Sequence, residues 1–316
     1  MTPAEPTLAA MPNPLLRYFL ATRPAFLSVT LFACLIGFGT AHYDGVTISL
    51  GKAAATLIFA LMAHAGINVL NDYYDELNGT DRINTERIFP FTGGSRFIQN
   101  GVLSAREILV YGVALVCVVI VAGLWLTIVS GASLIWIGAA GLLIGWAYSA
   151  PPLKLNSRGW GEACVAAGFT LIAVGADFVQ RGSISSLVLQ AVIAYALLVT
   201  NILYINQFPD YRADKAAGKH HWVVRLGLER ARWGYLIIAA VAYVWLGIAV
   251  AYKNLPVFAL IALLPAILSF KAGVILLKHA TRPQQLETAI KMTIAAASAH
   301  GLLVAVALFM SIRAAA

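Results

Sequence analysis

His64-Ala-Gly-Ile-Asn68-Val-Leu-Asn71-Asp72-Tyr-Tyr-Asp75-Glu76-Leu-Asn78-Gly79-Thr80-Asp81 closes an apolar run that opens near residue 50. Asn68, Asn71 or Asp72, and Asp75 fall at i, i+3/i+4 and i+7, so one face of a helix turns polar at its end. A helix that is apolar for about 20 residues is long enough to cross a bilayer. Acids at the end of such a helix are costly near lipid and by default suggest a functional site.

Working outward, nine stretches read as spans: 22–42, 50–72, 106–129, 132–149, 161–180, 185–208, 232–251, 256–277 and 290–312. The 316 residues are 60% hydrophobic and 11% charged, with mean hydropathy +0.80. Too few charges remain to cover a soluble domain of this size. No stretch shows the period-2 alternation of an outer-membrane barrel. The expected fold class is therefore all-α, a polytopic membrane bundle of nine transmembrane helices. Residues 1–13, rich in Pro and Ala, read as a disordered segment, and 14–316 as one domain. Cys34, Cys117 and Cys164 all lie inside spans without metal-like spacing and read as packing residues.

The net charge of +8 is unevenly distributed. With the N-terminus in the cytoplasm, 17 of the 22 Lys and Arg residues fall on the cytoplasmic side, four on the other, and Lys271 within a span. These charges sit on short loops beside spans, which argues against a nucleic-acid surface. No obligate protein partner is evident.

The second polar connection begins Asn206-Gln-Phe-Pro209-Asp210-Tyr-Arg212-Ala-Asp214-Lys-Ala-Ala-Gly218-Lys219. Asn206, Asp210 and Asp214 are spaced i, i+4, i+8, again on one helical face. The two connections, 73–105 and 209–231, both follow an apolar span and form a weak internal repeat. Stacked carboxylates repel unless a cation neutralises them. Hard oxygen ligands suit Mg²⁺, which favours sites shared with phosphate oxygens. Two facing stripes could thus hold a diphosphate through bridging Mg²⁺.

Arg82, Arg87, Arg96, Lys154, Arg212 and Lys219 could supply further positive charge to a diphosphate, although positive-inside topology alone would place bases here. Backbone N–H groups of Pro90-Phe-Thr-Gly93-Gly94-Ser95-Arg96 could approach an anion. Tyr148-Ser-Ala-Pro151-Pro152-Leu-Lys154 ends a span in a rigid turn that could aim Tyr148 and Lys154 at one cavity. Glu162 reads as a helix-start carboxylate, Asp177 as an interface residue, and His64 and His300 as polar packing residues. His220-His221 is too isolated for zinc. A secondary transporter of an anionic metabolite also uses intramembrane acids and repeats. It would place them at a midplane break, whereas these lie at helix ends.

From Thr22-Arg23-Pro24 to the ninth span, the chain resembles the UbiA superfamily of intramembrane prenyltransferases. The resemblance is carried by Asn71-Asp72-Tyr-Tyr-Asp75 with Asp81, by Tyr148 through Lys154, by Gly159-Trp-Gly161-Glu162, and by Asn206 through Lys219 with Leu226-Gly227. The Asp75-to-Asp81 spacing and Ser-Ala-Pro-Pro-Leu-Lys are similar to the branch that prenylates 1,4-dihydroxy-2-naphthoate for menaquinone. The 4-hydroxybenzoate branch closes its motif as Asp-x-x-x-Asp. Pro209, His220-His221-Trp222 and Phe89 through Arg96 depart from the naphthoate pattern and bear on the acceptor.

The resemblance implies helices around a central cavity open to the cytoplasm and laterally to lipid, in a bacterial inner membrane. It implies Mg²⁺ as cofactor, held by Asp75, Asp210 and Asp214 and assisted by Asp72, Asp81, Asn71 and Asn206. Lys154, Lys219 and Arg96 would bind diphosphate, with Tyr148 beside the reacting carbon. The implied partners are a polyprenyl diphosphate, an aromatic acceptor and the bilayer.

Overall fold

A computed structural model describes residues 4–313. Helices dominate, and no strand occurs among the described residues. In chain order the α-helices are α1 Pro14–Ala21, α2 Pro24–Tyr43, α3 Leu50–Asn78, α4 Thr80–Ile83, α5 Ala105–Ser130, α6 Leu134–Ser149, α7 Gly161–Arg181, α8 Ser186–Ala216, α9 Trp222–Leu226, α10 Leu228–Ala251, α11 Ala266–His279 and α12 Glu287–Phe309. A 3₁₀ segment, Val257–Leu263, leads into α11.

Among the described residues, eight helices are long and apolar enough to cross a membrane. The expectation of nine is corrected at 132–149, where α6 has 16 residues. At 1.5 Å per residue α6 is roughly 24 Å long, short of a hydrocarbon core of about 30 Å. Its end is dictated locally, because Pro151 and Pro152 provide no N–H to continue the ladder.

Two helices err in the other direction. α3 has 29 residues and α8 has 31, roughly 44 and 46 Å. Their excess length carries the helices beyond the apolar segments at 50–72 and 185–208, so Asp75, Asp210 and Asp214 remain helical. α8 passes through Pro209, which has no N–H to offer the carbonyl of Ile205.

The bundle packs α3 on α5, α2 on α7 and α12, and α8 on α7 and α10. Its core joins Val29 and Ile36 to Tyr195, Leu198, Leu246 and Val304. At Gly37 a Cβ would lie 2.3 Å from the Ala173 carbonyl oxygen, so α2 and α7 meet backbone to backbone there. Ile128, Trp136, Ile237 and Val244 point outward. An apolar exterior suits lipid, and the chain is an integral membrane protein.

At the end of the bundle away from the acidic stripes, Asp177 is fully buried and satisfied. It accepts from Thr40 Oγ1 at 2.8 Å and from Arg181 Nε at 2.9 Å, and Arg181 Nη1 reaches Asp44 at 2.9 Å. This network ties α2 to α7.

Of the segment read as disordered, residues 1–3 lie outside the described residues. In the remainder, Glu5 accepts from Arg87 Nε at 2.7 Å and from Asn100 Nδ2 at 3.1 Å.

The charge bias gives a labelling prediction. In a Cys117→Ser background, Arg82→Cys and Arg212→Cys, whose wild-type side chains are 75% and 77% exposed, should react only from the cytoplasmic side. Lys253→Cys should react only from outside. External labelling of either of the first two reverses the orientation.

Candidate active site

The two acidic stripes meet. Lys219 Nζ lies 3.0 Å from Asp75 Oδ1 on α3 and 3.2 Å from Asp214 Oδ1 on α8. Gly218, at φ +75°, turns the chain out of α8, and Lys219 N–H then bonds the Asp214 carbonyl at 2.9 Å. That turn folds the lysine back between the helices, where it is 9% exposed. Burial opposes its charge, but the Asp75 and Asp214 carboxylates dominate and raise its pKa above that of an ordinary lysine.

Amides, loop N–H groups and Arg23 hold further carboxylate oxygens of the cluster. Asn71 Nδ2 donates to Asp75 Oδ2 at 3.2 Å, and Asn78 Nδ2 to Asp75 Oδ1 at 3.1 Å. The i, i+4 spacing read from sequence therefore gives a direct contact. Asp210 accepts from Asn84 Nδ2 at 2.6 Å and from the Gly93 N–H at 3.3 Å. Asp72 accepts from the Ser95 N–H at 3.3 Å and pairs with Arg23 of the α1–α2 junction. The 84–96 loop thus spans both stripes, and its Gly93 and Ser95 N–H groups are donated to carboxylates.

Arg96 is buried at φ 68° and donates to the Asp81 carbonyl. Asn206 Nδ2 donates to the Phe91 carbonyl at 3.3 Å. Lys154 sits half-buried at φ 44° and pairs with no carboxylate among the described residues. Glu162 accepts from Gln207 Nε2 at 2.9 Å, joining α7 to α8.

Beneath the acids lies a cavity of about 550 Å³. Arg23, Asn68, Asn71, Tyr148 and Asn206 line it, and Phe26, Phe59, Phe169 and Ile137 supply apolar wall. His64, read as a packing residue, also lines it, with Nδ1 2.8 Å from Thr30 Oγ1. The arrangement can grip an anionic head at one end and shelter an apolar tail in the other.

Three contributors were missed by sequence reasoning. Arg23 and Asn84 reach the acids across 49 and 126 residues, with no local spacing to reveal them. His221 reads from sequence as too isolated for zinc, yet its Nε2 is 3.1 Å from Asp214 Oδ2. Asp214, seven residues earlier on the preceding helix, was the only available signal.

Among the described residues, no three His, Cys, Asp or Glu side chains form a ready metal cage. The donor set nevertheless fits a hard divalent cation. Asp72 Oδ2 and Asp81 Oδ2 are buried without a hydrogen-bond partner among the described residues. Both carboxylates border Gly94, where a Cβ would fall 2.2 Å from Asp81 Oδ2 and 3.3 Å from Asp72 Oδ1. Burial, then the Asp75 carboxylate, pushes Asp81 up to about 7. Clustered, underpartnered carboxyl oxygens are what Mg²⁺ or a similar ion would neutralise.

The model of the UbiA prenyltransferase family matches residues 28–311. The 1,4-dihydroxy-2-naphthoate octaprenyltransferase of Mycobacterium leprae (strain TN) is 28% identical over 211 residues, covering 66% of this chain and 69% of the relative. That of Bacillus subtilis (strain 168) is 28% identical over 228 residues, covering 71% and 70%. A solved digeranylgeranylglyceryl phosphate synthase superposes with TM-score 0.64 at 17% identity, covering 94% of this chain and 99% of the other. A UbiA homolog from Archaeoglobus fulgidus bound to GPP and Mg²⁺ gives 0.60 at 19% identity, covering 92% and 99%. At these identities the structural likeness shows the fold.

Proposed function

Because the chain belongs to the UbiA prenyltransferase family, we propose that it transfers a polyprenyl group from its diphosphate to 1,4-dihydroxy-2-naphthoate, in the making of menaquinone. The enzyme class is prenyltransferase. The observation that carries the site is the convergence of Asp75 and Asp214, from two long helices, on one buried lysine above an apolar cavity. The naphthoate acceptor is supported by the relatives' names and by the Asp75-to-Asp81 spacing.

In this reading Asp75, Asp210 and Asp214 hold Mg²⁺, with Asp72, Asp81, Asn71 and Asn206 assisting. Bound there, the ion would stabilise negative charge on the leaving diphosphate. Lys219 and Arg96 donate to diphosphate oxygens as the allylic C–O bond breaks, and Lys154 closes in from its turn. Tyr148, on the cavity wall, offers its ring face to the allylic cation. The apolar wall excludes water until a ring carbon of the acceptor forms the new C–C bond and then releases the group it carried, a proton or its carboxyl as CO₂, to restore the aromatic ring. The bacterial inner membrane is the proposed location, with the acidic cluster facing the cytoplasm. A transporter reading leaves the family membership without a role.

The test is transfer of a labelled polyprenyl group by detergent-purified protein, with Mg²⁺ or with EDTA, to each of two acceptors. Product with dihydroxynaphthoate, abolished by EDTA, is expected. Ready prenylation of 4-hydroxybenzoate with dihydroxynaphthoate ignored overturns the acceptor. No transfer to either overturns the proposed reaction.

A further inference from the structure

We propose that His221 is a positioning residue for Asp214 and, through that contact, sets how tightly the site takes Mg²⁺. The inference rests on the reading of the acidic cluster as the metal and diphosphate site.

The Asp214 carboxylate is divided between two donors. Its Oδ1 faces Lys219 Nζ at 3.2 Å, and its Oδ2 faces His221 Nε2 at 3.1 Å. A carboxylate's terminal torsion is soft, so a single donor leaves its plane free to turn. Lys219 is shared with Asp75 and would also be drawn by a diphosphate, so it cannot fix that plane alone. The second donor can. A bond to a carboxylate requires the proton on Nε2. Among the described residues His221 Nδ1 is buried with no partner, so Asp214 is the imidazole's one polar tie there.

The backbone around His221 is anchored on both sides. The His220 N–H bonds the Ser157 carbonyl at 2.7 Å, and the Arg225 N–H bonds the His221 carbonyl at 3.0 Å. Arg225 Nε also grips the His220 carbonyl at 2.6 Å. The imidazole itself is 3% exposed. A ring held this firmly against a candidate ligand carboxylate is placed as outer-shell partners of metal ligands are. Removing such partners typically costs about 10–100-fold in metal affinity.

The experiment titrates Mg²⁺ against the melting temperature of the detergent-purified full chain, at fixed inorganic diphosphate. His221→Ala should raise the Mg²⁺ midpoint about 10–100-fold. His221→Gln, whose amide nitrogen reaches the place of Nε2, should stay within about threefold of wild type. His221→Asn carries the same amide but falls short, and should shift as Ala does. The Gln–Asn contrast decides the matter even where the Ala variant does not fold. An unshifted Asn variant, or a Gln variant shifted as far as Asn, overturns the inference. Wild-type protein that gains no stability from Mg²⁺ with diphosphate overturns the site reading itself. A wild-type gain that the Asn variant matches at the same midpoint removes only the role of His221.

Discussion

Replacing Asp75, Asp210 or Asp214 singly with Asn should lower Mg²⁺-dependent prenyl transfer by roughly 100-fold or more, with little change in the yield of folded protein. Asn keeps the shape of Asp and removes one charge. At Asp75 and Asp214 the lost charge is one of the two that hold Lys219. The ammonium keeps the other, so the fold is not left with a bare buried cation. At Asp210 the bonded neighbours are the Asn84 amide and the Gly93 N–H, and an amide oxygen can still accept one of these. Catalysis has no such substitute, because a ligand carboxylate is asked for charge. Glu76→Gln is the control. Glu76 pairs with Arg82, which is 75% exposed, and accepts from Gln99. An exposed partner makes that pair worth about 1 kcal/mol or less. Transfer of labelled prenyl groups, normalised to folded protein, measures the effect. Near-normal turnover in all three Asp variants would remove the metal-bridged diphosphate site.

The acidic stripes were legible because both depend on local geometry. Spacing of i+4 puts Asn71 beside Asp75 in any helix, and the structure gives that contact at 3.2 Å. The spans were legible for the same reason, since apolar length is a local property. α6 shows the limit of that argument: 132–149 has the composition of a span, but its helix starts only at Leu134 and ends at Ser149 ahead of Pro151, leaving 16 residues. What sequence could not reveal is what crosses the bundle. Arg23 stands at a left-handed φ of 57° before α2, and only the packing of α2 against α3 brings it to Asp72. In the sequence, the glycine-rich loop reads as backbone N–H groups that could approach an anion. Its partners in the structure are Asp72 and Asp210, so it braces the stripes. His221 became significant only once the Gly218 turn had folded the 219–221 segment back over Asp214.

Gly94→Ala should lower transfer by roughly 100-fold, more than the roughly 1–2 kcal/mol that a left-handed alanine costs the loop backbone. Gly94 sits at φ +76°, a conformation that glycine adopts without strain and alanine does not. That backbone cost would fall on a loop beside the bundle. The larger effect comes from the added methyl. Its carbon would lie 2.2 Å from Asp81 Oδ2 and 2.9 Å from Asp81 Cγ, inside any tolerable contact, so the Asp81 side chain must leave. It is buried on α4, and among the described residues its Oδ2 has no hydrogen-bond partner. Moving it therefore breaks no side-chain hydrogen bond of Oδ2 but withdraws one of the two unpartnered oxygens proposed to assist the cation. The expected pattern is a raised Mg²⁺ requirement and a fall in turnover, with a melting temperature close to wild type in the absence of metal. Gly101→Ala controls for the backbone term, since Gly101 has φ +67° and nothing within 4 Å of its would-be Cβ. A Gly94→Ala enzyme as active as Gly101→Ala, at the same Mg²⁺ concentration, would show that Asp81 has no part in holding the ion.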